Sequence, residues 1–172
     1  MNYPTTRTTK TARLFVQNGT RTRNTEERRV WELSYLLKKA DCPTETLNHC
    51  ALDMAKYVLG EDCILIPVPD SKGDTTANLR LAETIAKIIG AKVMDILTRY
   101  TPTASQCERH RRGKAPLTPD QLGITVKPHK PFTLRPIYYV DNVITSGATI
   151  QACHDALGFG TGLVYAEAMR RA

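Results

Sequence analysis

Residues 137–149, Ile-Tyr-Tyr-Val-Asp-Asn-Val-Ile-Thr-Ser-Gly-Ala-Thr, constrain the fold more than any other part of the chain. Four apolar or aromatic residues in succession, Ile137 to Val140, predict a buried strand. Ile150, Cys153 and Leu157 recur three and four apart, and Gly158 follows, so a helix is expected directly after the turn. Strand, short turn and helix N-terminus form an anion cradle, because unpaired backbone N–H groups and the positive end of the helix dipole converge on one spot. Gly147 lets a phosphate approach the backbone closely. Asp141 and Asn142 fall at the carboxyl end of the strand, where open α/β sheets take their ligands. There they can accept hydrogen bonds from sugar hydroxyls while the turn holds a 5′-phosphate. Helix capping by Ser or Thr would account for one hydroxyl. It does not account for three hydroxyls, a glycine and an acid–amide pair within nine residues.

The rest of the chain is ordinary enough to serve as the scaffold of that unit. At 172 residues it is expected to fold as one domain with a real core, and 41% hydrophobic against 24% charged residues fits a globular protein. No apolar run reaches the length of a membrane span, and residues 1–25 lack the apolar core of a signal peptide, so a cytoplasmic location is expected. The five cysteines, Cys42, Cys50, Cys63, Cys107 and Cys153, are odd in number and form no CxxC pair. Reduced and mostly buried thiols are expected from them, not disulfides or a zinc site. A net charge of +7 favours anionic partners. Arg7, Lys10, Arg13, Arg21 and Arg23 all precede the first acid, Glu26, so residues 1–23 read as a basic, flexible arm, with Leu14-Phe15-Val16 as the one place for a short edge strand. Nucleic acid finds only weak support, since no aromatic-rich groove accompanies the charge.

In order, Asn24 and Glu27 form a capping-box pair ahead of a helix with Val30, Leu33, Ser34 and Leu37 on one face. Pro43-Thr44 starts a second helix carrying Leu47, Cys50, Ala51, Met54 and Val58, with Gly60 as its stop. Residues 63–69, Cys-Ile-Leu-Ile-Pro-Val-Pro, predict a compact strand. A polar loop, residues 70–76, follows, and then a helix with Leu79, Ala82, Ile85, Ala86 and Ile89 inward and Gly90 as cap. This second strand–loop–helix unit offers Ser71, Lys72, Gly73 and Thr75 as phosphate donors. Residues 92–97 predict the next strand, leaving through Thr98, Arg99 and Tyr100. The stretch from Thr101 to about Pro131 is long and polar and carries the cationic run Arg109-His110-Arg111-Arg112. Such a run is either a solvated face or a mobile lid over a polyphosphate. Cys107 and His110 alone are weak metal ligands. A short strand at 123–126 and a final strand at 163–168 complete the pattern. Gly158, Gly160 and Gly162 follow a helix and precede a strand, the reverse of a dinucleotide-binding motif, and no GxxxxGK[ST] loop is present.

The 137–149 stretch resembles the phosphoribosyl-pyrophosphate (PRPP) motif of type I phosphoribosyltransferases: four apolar residues, two acids, two apolar residues, then Thr-Thr/Ser-Gly-x-Thr. Asn142 departs from the pattern by replacing the second acid, keeping an oxygen but losing a charge. Pro67-Val68-Pro69-Asp70-Ser71 and the helix after it resemble the pyrophosphate loop of amidophosphoribosyltransferases and of the ComF-like proteins of DNA-uptake systems. The latter also carry a similar Gln and Arg-rich run at the position of Gln106 to Arg112. The match runs from about Cys63 to Ala168; the zinc module common at the start of ComF-like proteins has no counterpart.

The expected fold is therefore α/β in three layers, a mostly parallel sheet flanked by helices, with residues 24–60 as a hood-like helical segment and 61–172 as the core. The resemblance implies Mg²⁺-dependent phosphoribosyl transfer from PRPP to a small nitrogen nucleophile. Asp141 and Asn142 would hold the ribose hydroxyls, with Asp141 the residue nearest the metal, and Thr145, Ser146, Gly147, Ala148 and Thr149 the 5′-phosphate. Ser71, Lys72 and Gly73 would hold the pyrophosphate, and Arg99, Arg109, Arg111 and Arg112 would stabilise it as it leaves. A homodimer is compatible with the resemblance, and a membrane partner is not expected. The alternative is a non-catalytic PRPP or nucleotide sensor, or an accessory protein of DNA uptake.

Overall fold

The computed structural model describes residues 9–16, 24–58, 62–100, 108–109, 112–115, 117–129, 131–132 and 135–169. Five strands form one parallel sheet: β1 (Thr9–Val16), β2 (Ile64–Pro67), β3 (Lys92–Val93), β6 (Ile137–Ile144) and β7 (Thr161–Met169), in the order β1-β7-β6-β2-β3. β4 (Leu97–Arg99) and β5 (Ile124–Val126) pair antiparallel in a separate ribbon. The fold is α/β, with a parallel sheet flanked by helices, compatible with the three layers expected.

Alternation along the strands divides the core in two. Cys63, Leu65, Tyr138, Val140, Leu163 and Tyr165 join the cluster made by the helices α1 (Thr25–Leu36), α2 (Thr44–Ala55) and α3 (Thr76–Ile89). Ile64, Ile66, Ile137, Tyr139 and Val164 join the second cluster, with the short helix α4 (Pro119–Leu122), α5 (Ala148–Leu157) and the β4–β5 ribbon. A sheet buried on both faces has no polar side to alternate with. That is why β2, the first half of β6 and the middle of β7 read as unbroken apolar runs, while the edge strands β1 and β3 do not.

The helices begin and end where local chemistry dictates. The Asn24 side chain accepts the Glu27 N–H at 2.8 Å while the Glu27 carboxylate accepts the Asn24 N–H at 2.9 Å, so two otherwise orphaned donors are satisfied at the start of α1. Gly90 and Gly158 close α3 and α5 in left-handed conformations, at φ 71° and 84°. α2 stops at Ala55, and Gly60 lies outside the described residues.

Two expectations are corrected. Within the segment read as a flexible arm, Thr9–Val16 is an eight-residue strand paired along β7. Its cations stay partly in solvent but are engaged by the fold: Lys10 Nζ donates to the Tyr57 carbonyl at 2.9 Å, and Arg13 donates to Asp53 through Nε at 2.9 Å and Nη2 at 2.7 Å. The strand expected at 92–97 divides into β3 and β4. At Asp95 the chain closes a tight turn, Ile96 N–H to Met94 carbonyl at 3.1 Å, and leaves the main sheet for the ribbon. No helix among the described residues is long and apolar enough to cross a membrane.

Candidate functional site

β2 and β6 are neighbours, but their crossovers part company. From β2 the chain passes through α3 to β3 on one side; from β6 it passes through α5 to β7 on the other. The two helices lie on opposite faces of the sheet. This is a topological switch point, and a crevice opens beyond the carboxyl ends of the diverging strands. A cavity of about 260 Å³ occupies it, lined by Asp70, Ser71, Asp74 and Asn78 from the β2–α3 unit and by Asp141, Asn142, Thr145 and Thr149 from the β6–α5 unit. Arg99 of β4, Leu122 of α4 and Lys38 and Ala40 of the α1–α2 turn contribute the remaining walls that matter below.

On the β6 side the strand continues through Asp141 and Asn142 to Ile144, so backbone pairing with β7 holds the acid–amide pair in place. Asp141 Oδ1 accepts the Asn142 N–H at 2.8 Å and an N–H of the Asn78 amide at 3.2 Å. Burial pushes the Asp141 carboxyl up to about 6, against the Asn142 hydrogen bond, the Lys38 charge and the Asn78 amide, with Asp70 adding to the rise. At neutral pH it is ionised, though only about one unit above its midpoint. Gly147, at φ 77°, is the N-cap of α5 and has no side chain to cap it; the Ser146 hydroxyl accepts the Ala148 N–H at 3.5 Å. The hydroxyls of Thr145 and Thr149 are thus not consumed in capping, and both residues line the cavity.

The β2–α3 loop is tied by its own first acid. Asp70 Oδ1 accepts the N–H groups of Lys72 at 2.7 Å and Asp74 at 2.9 Å, while its carbonyl accepts from Gly73 at 3.1 Å. Gly73 sits at φ 91°, a conformation that favours glycine, and a Cβ there would meet the Arg99 carbonyl oxygen at a tight 3.1 Å. Asp74 accepts from the Thr76 hydroxyl and N–H, at 2.6 and 2.9 Å, which holds its carboxyl below the usual range. The Thr75 hydroxyl, expected as a phosphate donor, donates to Asp95 at 3.2 Å.

Arg99 is buried at 8% exposure. Its Nε donates to the Leu122 carbonyl at 2.8 Å and Nη1 to the Asp70 carbonyl at 3.2 Å. Burial lowers its pKa, opposed by the Asp70 charge. Among the described residues no carboxylate forms an ion pair with it. A guanidinium held by carbonyls, in the wall of a polar cavity, is placed to meet an anion.

Of the residues singled out from sequence, Ser71, Arg99, Asp141, Asn142, Thr145 and Thr149 line this one cavity. Lys72, Gly73, Ser146, Gly147 and Ala148 belong to the two turns but not to its wall. Arg109 donates to the Ala115 carbonyl at 3.0 and 2.8 Å, and Arg112 pairs with Glu108 at 2.6 Å; neither lines the cavity. Arg111, Cys107 and His110 lie outside the described residues. Sequence reasoning missed Lys38, Asp70, Asp74 and Asn78. Asn78 left a trace: it precedes Leu81, Ala82 and Ile85 at helical spacing, a polar residue on an apolar stripe.

Among the described residues no group of three or more His, Cys, Asp or Glu is placed to hold a metal ion. Asp70 and Asp74 are engaged by their own loop, which leaves Asp141 as the cavity carboxylate not tied up in a turn. This wall fits a cation carried in on a ligand's oxygens better than a resident one. No protein-family model matches the chain, and no curated protein matches it at a significant level.

Proposed function

We propose that the cavity binds PRPP and that the protein transfers its phosphoribosyl group to a small nitrogen nucleophile, releasing pyrophosphate. One observation carries the reading: two strand–turn–helix units, on either side of a switch point, line a single polar cavity with a hydroxyl-bearing turn and a carboxylate, and β4 adds the buried Arg99 to its wall. A ligand phosphorylated at both ends of a sugar matches that sequence of groups. In this reading Thr145 and Thr149, with the turn between them, receive the 5′-phosphate, Asp141 and Asn142 accept from the ribose hydroxyls, and Ser71 and Arg99 face the pyrophosphate.

The C1–O bond to pyrophosphate breaks with its electron pair leaving on the pyrophosphate, and the nucleophile's nitrogen forms the new bond to C1 as its proton passes to solvent. Mg²⁺ bound to the pyrophosphate oxygens would neutralise charge on the leaving group. The protein's own part is orientation and electrostatic stabilisation. Asp141 holds the ring through its hydroxyls and places negative charge near the cationic ribosyl centre, while Arg99 offsets charge at the departing end.

Calorimetric titration with PRPP and Mg²⁺ tests the reading. Micromolar binding that Asp141→Ala removes supports it, and binding absent at millimolar PRPP from folded protein sinks it. Pyrophosphate release across a panel of nucleobases and amines then separates an enzyme from a sensor. The sensor reading is favoured by Asn142 in place of an acid and by Arg109 and Arg112 being occupied within their own loop. It predicts tight PRPP binding with no pyrophosphate released.

A further inference from the structure

Asn78 has no part in the site as read from sequence, yet it is the residue that joins the two halves of the cavity. It stands in the first turn of α3, is 7% exposed, and lines the cavity. Its Nδ2 donates to the Val68 carbonyl at 2.8 Å, just past the end of β2, and to Asp141 Oδ1 on β6 at 3.2 Å. Both partners are acceptors, which settles the direction of the amide: nitrogen toward the strands, oxygen away. Among the described residues nothing donates to that oxygen, which is buried. A core position on α3 would be better served by leucine or alanine, as at Leu81 and Ala82, than by an amide with an orphaned acceptor. The bonds to the Val68 carbonyl and to Asp141 are what the amide provides that an apolar residue could not, and only an amide with both joins the two strands' ends.

We propose that Asn78 is a positioning residue for Asp141, an amide bracket anchored on the Val68 carbonyl that fixes the carboxylate in the orientation that meets a ligand's hydroxyls. Because the second proton of the same nitrogen is held by the backbone of β2, the carboxylate's place is set relative to the β2–α3 loop as well as to its own strand. The bracket spans the gap between the two phosphate-type turns. The identity of the ligand rests on the PRPP reading; the action on Asp141 does not. The titratable and charged groups facing Asp141 are Lys38 from the α1–α2 turn, Asp70 from the β2–α3 loop and Cys153 from α5, with Arg99 and Asp74 elsewhere in the same lining. Asn78 is the neutral side chain among them that bonds the carboxylate directly. It favours the ionised form, in the same direction as Lys38.

The test is the titration of Asp141 in ligand-free protein, followed by carboxyl carbon NMR, in wild type and Asn78→Ala. Loss of a hydrogen bond to the ionised carboxylate should move the midpoint upward by roughly half to one pH unit. PRPP binding at pH 7 should weaken about tenfold. Asn78→Ser, whose hydroxyl has one proton to give, serves the same purpose should the alanine variant fail to fold. A purely structural asparagine would change stability and leave the Asp141 midpoint unmoved, and that result in a folded variant overturns the proposal. A shifted midpoint in a protein that binds no PRPP keeps the bracket and discards the ligand.

Discussion

Asp53 and Asp141 are both carboxylates drawn into the protein, and the chain treats them in opposite ways. Asp53, on α2, has a side chain 8% exposed. Oδ2 accepts two N–H groups of Arg13 and Oδ1 accepts Lys56 Nζ at 2.9 Å. Burial alone would push Asp53 up, but the hydrogen bonds and charge of Lys56 and Arg13 outweigh it and hold the carboxyl below its usual range. Asp141 has a backbone N–H, a neutral amide and only the field of Lys38, and burial wins. One acid is fully compensated by the protein. The other is left under-compensated, beside hydroxyl-bearing residues and a buried arginine. A carboxylate so placed has capacity for partners the protein itself does not supply, which is the mark of a binding site more than of a structural pair.

The largest expected effect falls on the under-compensated side. Asp141→Ala should weaken PRPP binding by about a hundredfold or more at neutral pH, measured by calorimetry, because hydrogen bonds to a charged acceptor are the strong ones. On the other side, Arg13→Ala strands a buried carboxylate with one exposed cation. A loss of about 2 kcal/mol is expected in denaturant unfolding, below the value for a fully buried pair because Arg13 is itself partly in solvent. That loss should fade under acid. Asp53 has a lowered folded-state pKa, so its stabilisation is present above the unfolded value near 4 and disappears as pH falls through the folded one.

Asp141 has the contrary sign. With a folded pKa raised to about 6, it binds its proton more tightly in the native state, so it costs stability above pH 6 and ceases to do so as pH drops toward 4. Asp141→Asn should therefore stabilise the protein by about 1–2 kcal/mol at pH 7, discounted for the open cavity, with no gain near pH 4. Thermal unfolding of the variant at the two pH values checks this; equal shifts at both would dissolve the contrast between the two acids. The smallest effect is expected at Arg112→Ala. Its exposed bond to Glu108 is worth well under 1 kcal/mol, and PRPP affinity should change no more than about twofold.

How much of this could be read from the amino-acid order varied with the range of the interaction. β6, its turn and α5 were legible because strand period, glycine and helical spacing lie within residues 137–158. The capping box at Asn24 and Glu27 was legible for the same reason. β1 was hidden because its partner strand begins at Thr161, and because Lys10 and Arg13 look solvated until α2 is placed beside them. Residues 92–97 suit a strand throughout, and only the exchanges Asp95 makes with Thr75 and Lys127 show why the chain turns there. Of the site, the turns were foreseen and the wall between them was not. Asn78 and Lys38 reach the cavity from a helix face and an interhelical turn that local patterns describe only as core and surface.

The pairing of β1 with β7 also sets an order of events. Thr9 lies opposite Gly162, so β1, the earliest of the described strands, lacks the β7 partner until the far end of the described chain has been made and has docked on β6. Closing so long a loop is slow, and the three central strands can assemble without it. Until β1 arrives, β7 presents an open row of backbone donors and acceptors, a template for another chain's strand. Pulse-labelled hydrogen exchange should find β2 and β6 protected before β1, and protection gained together would refute this order. Of the described strands, the earliest in the chain would be the last one placed, and the time between is when the molecule is most exposed to pairing with its neighbours.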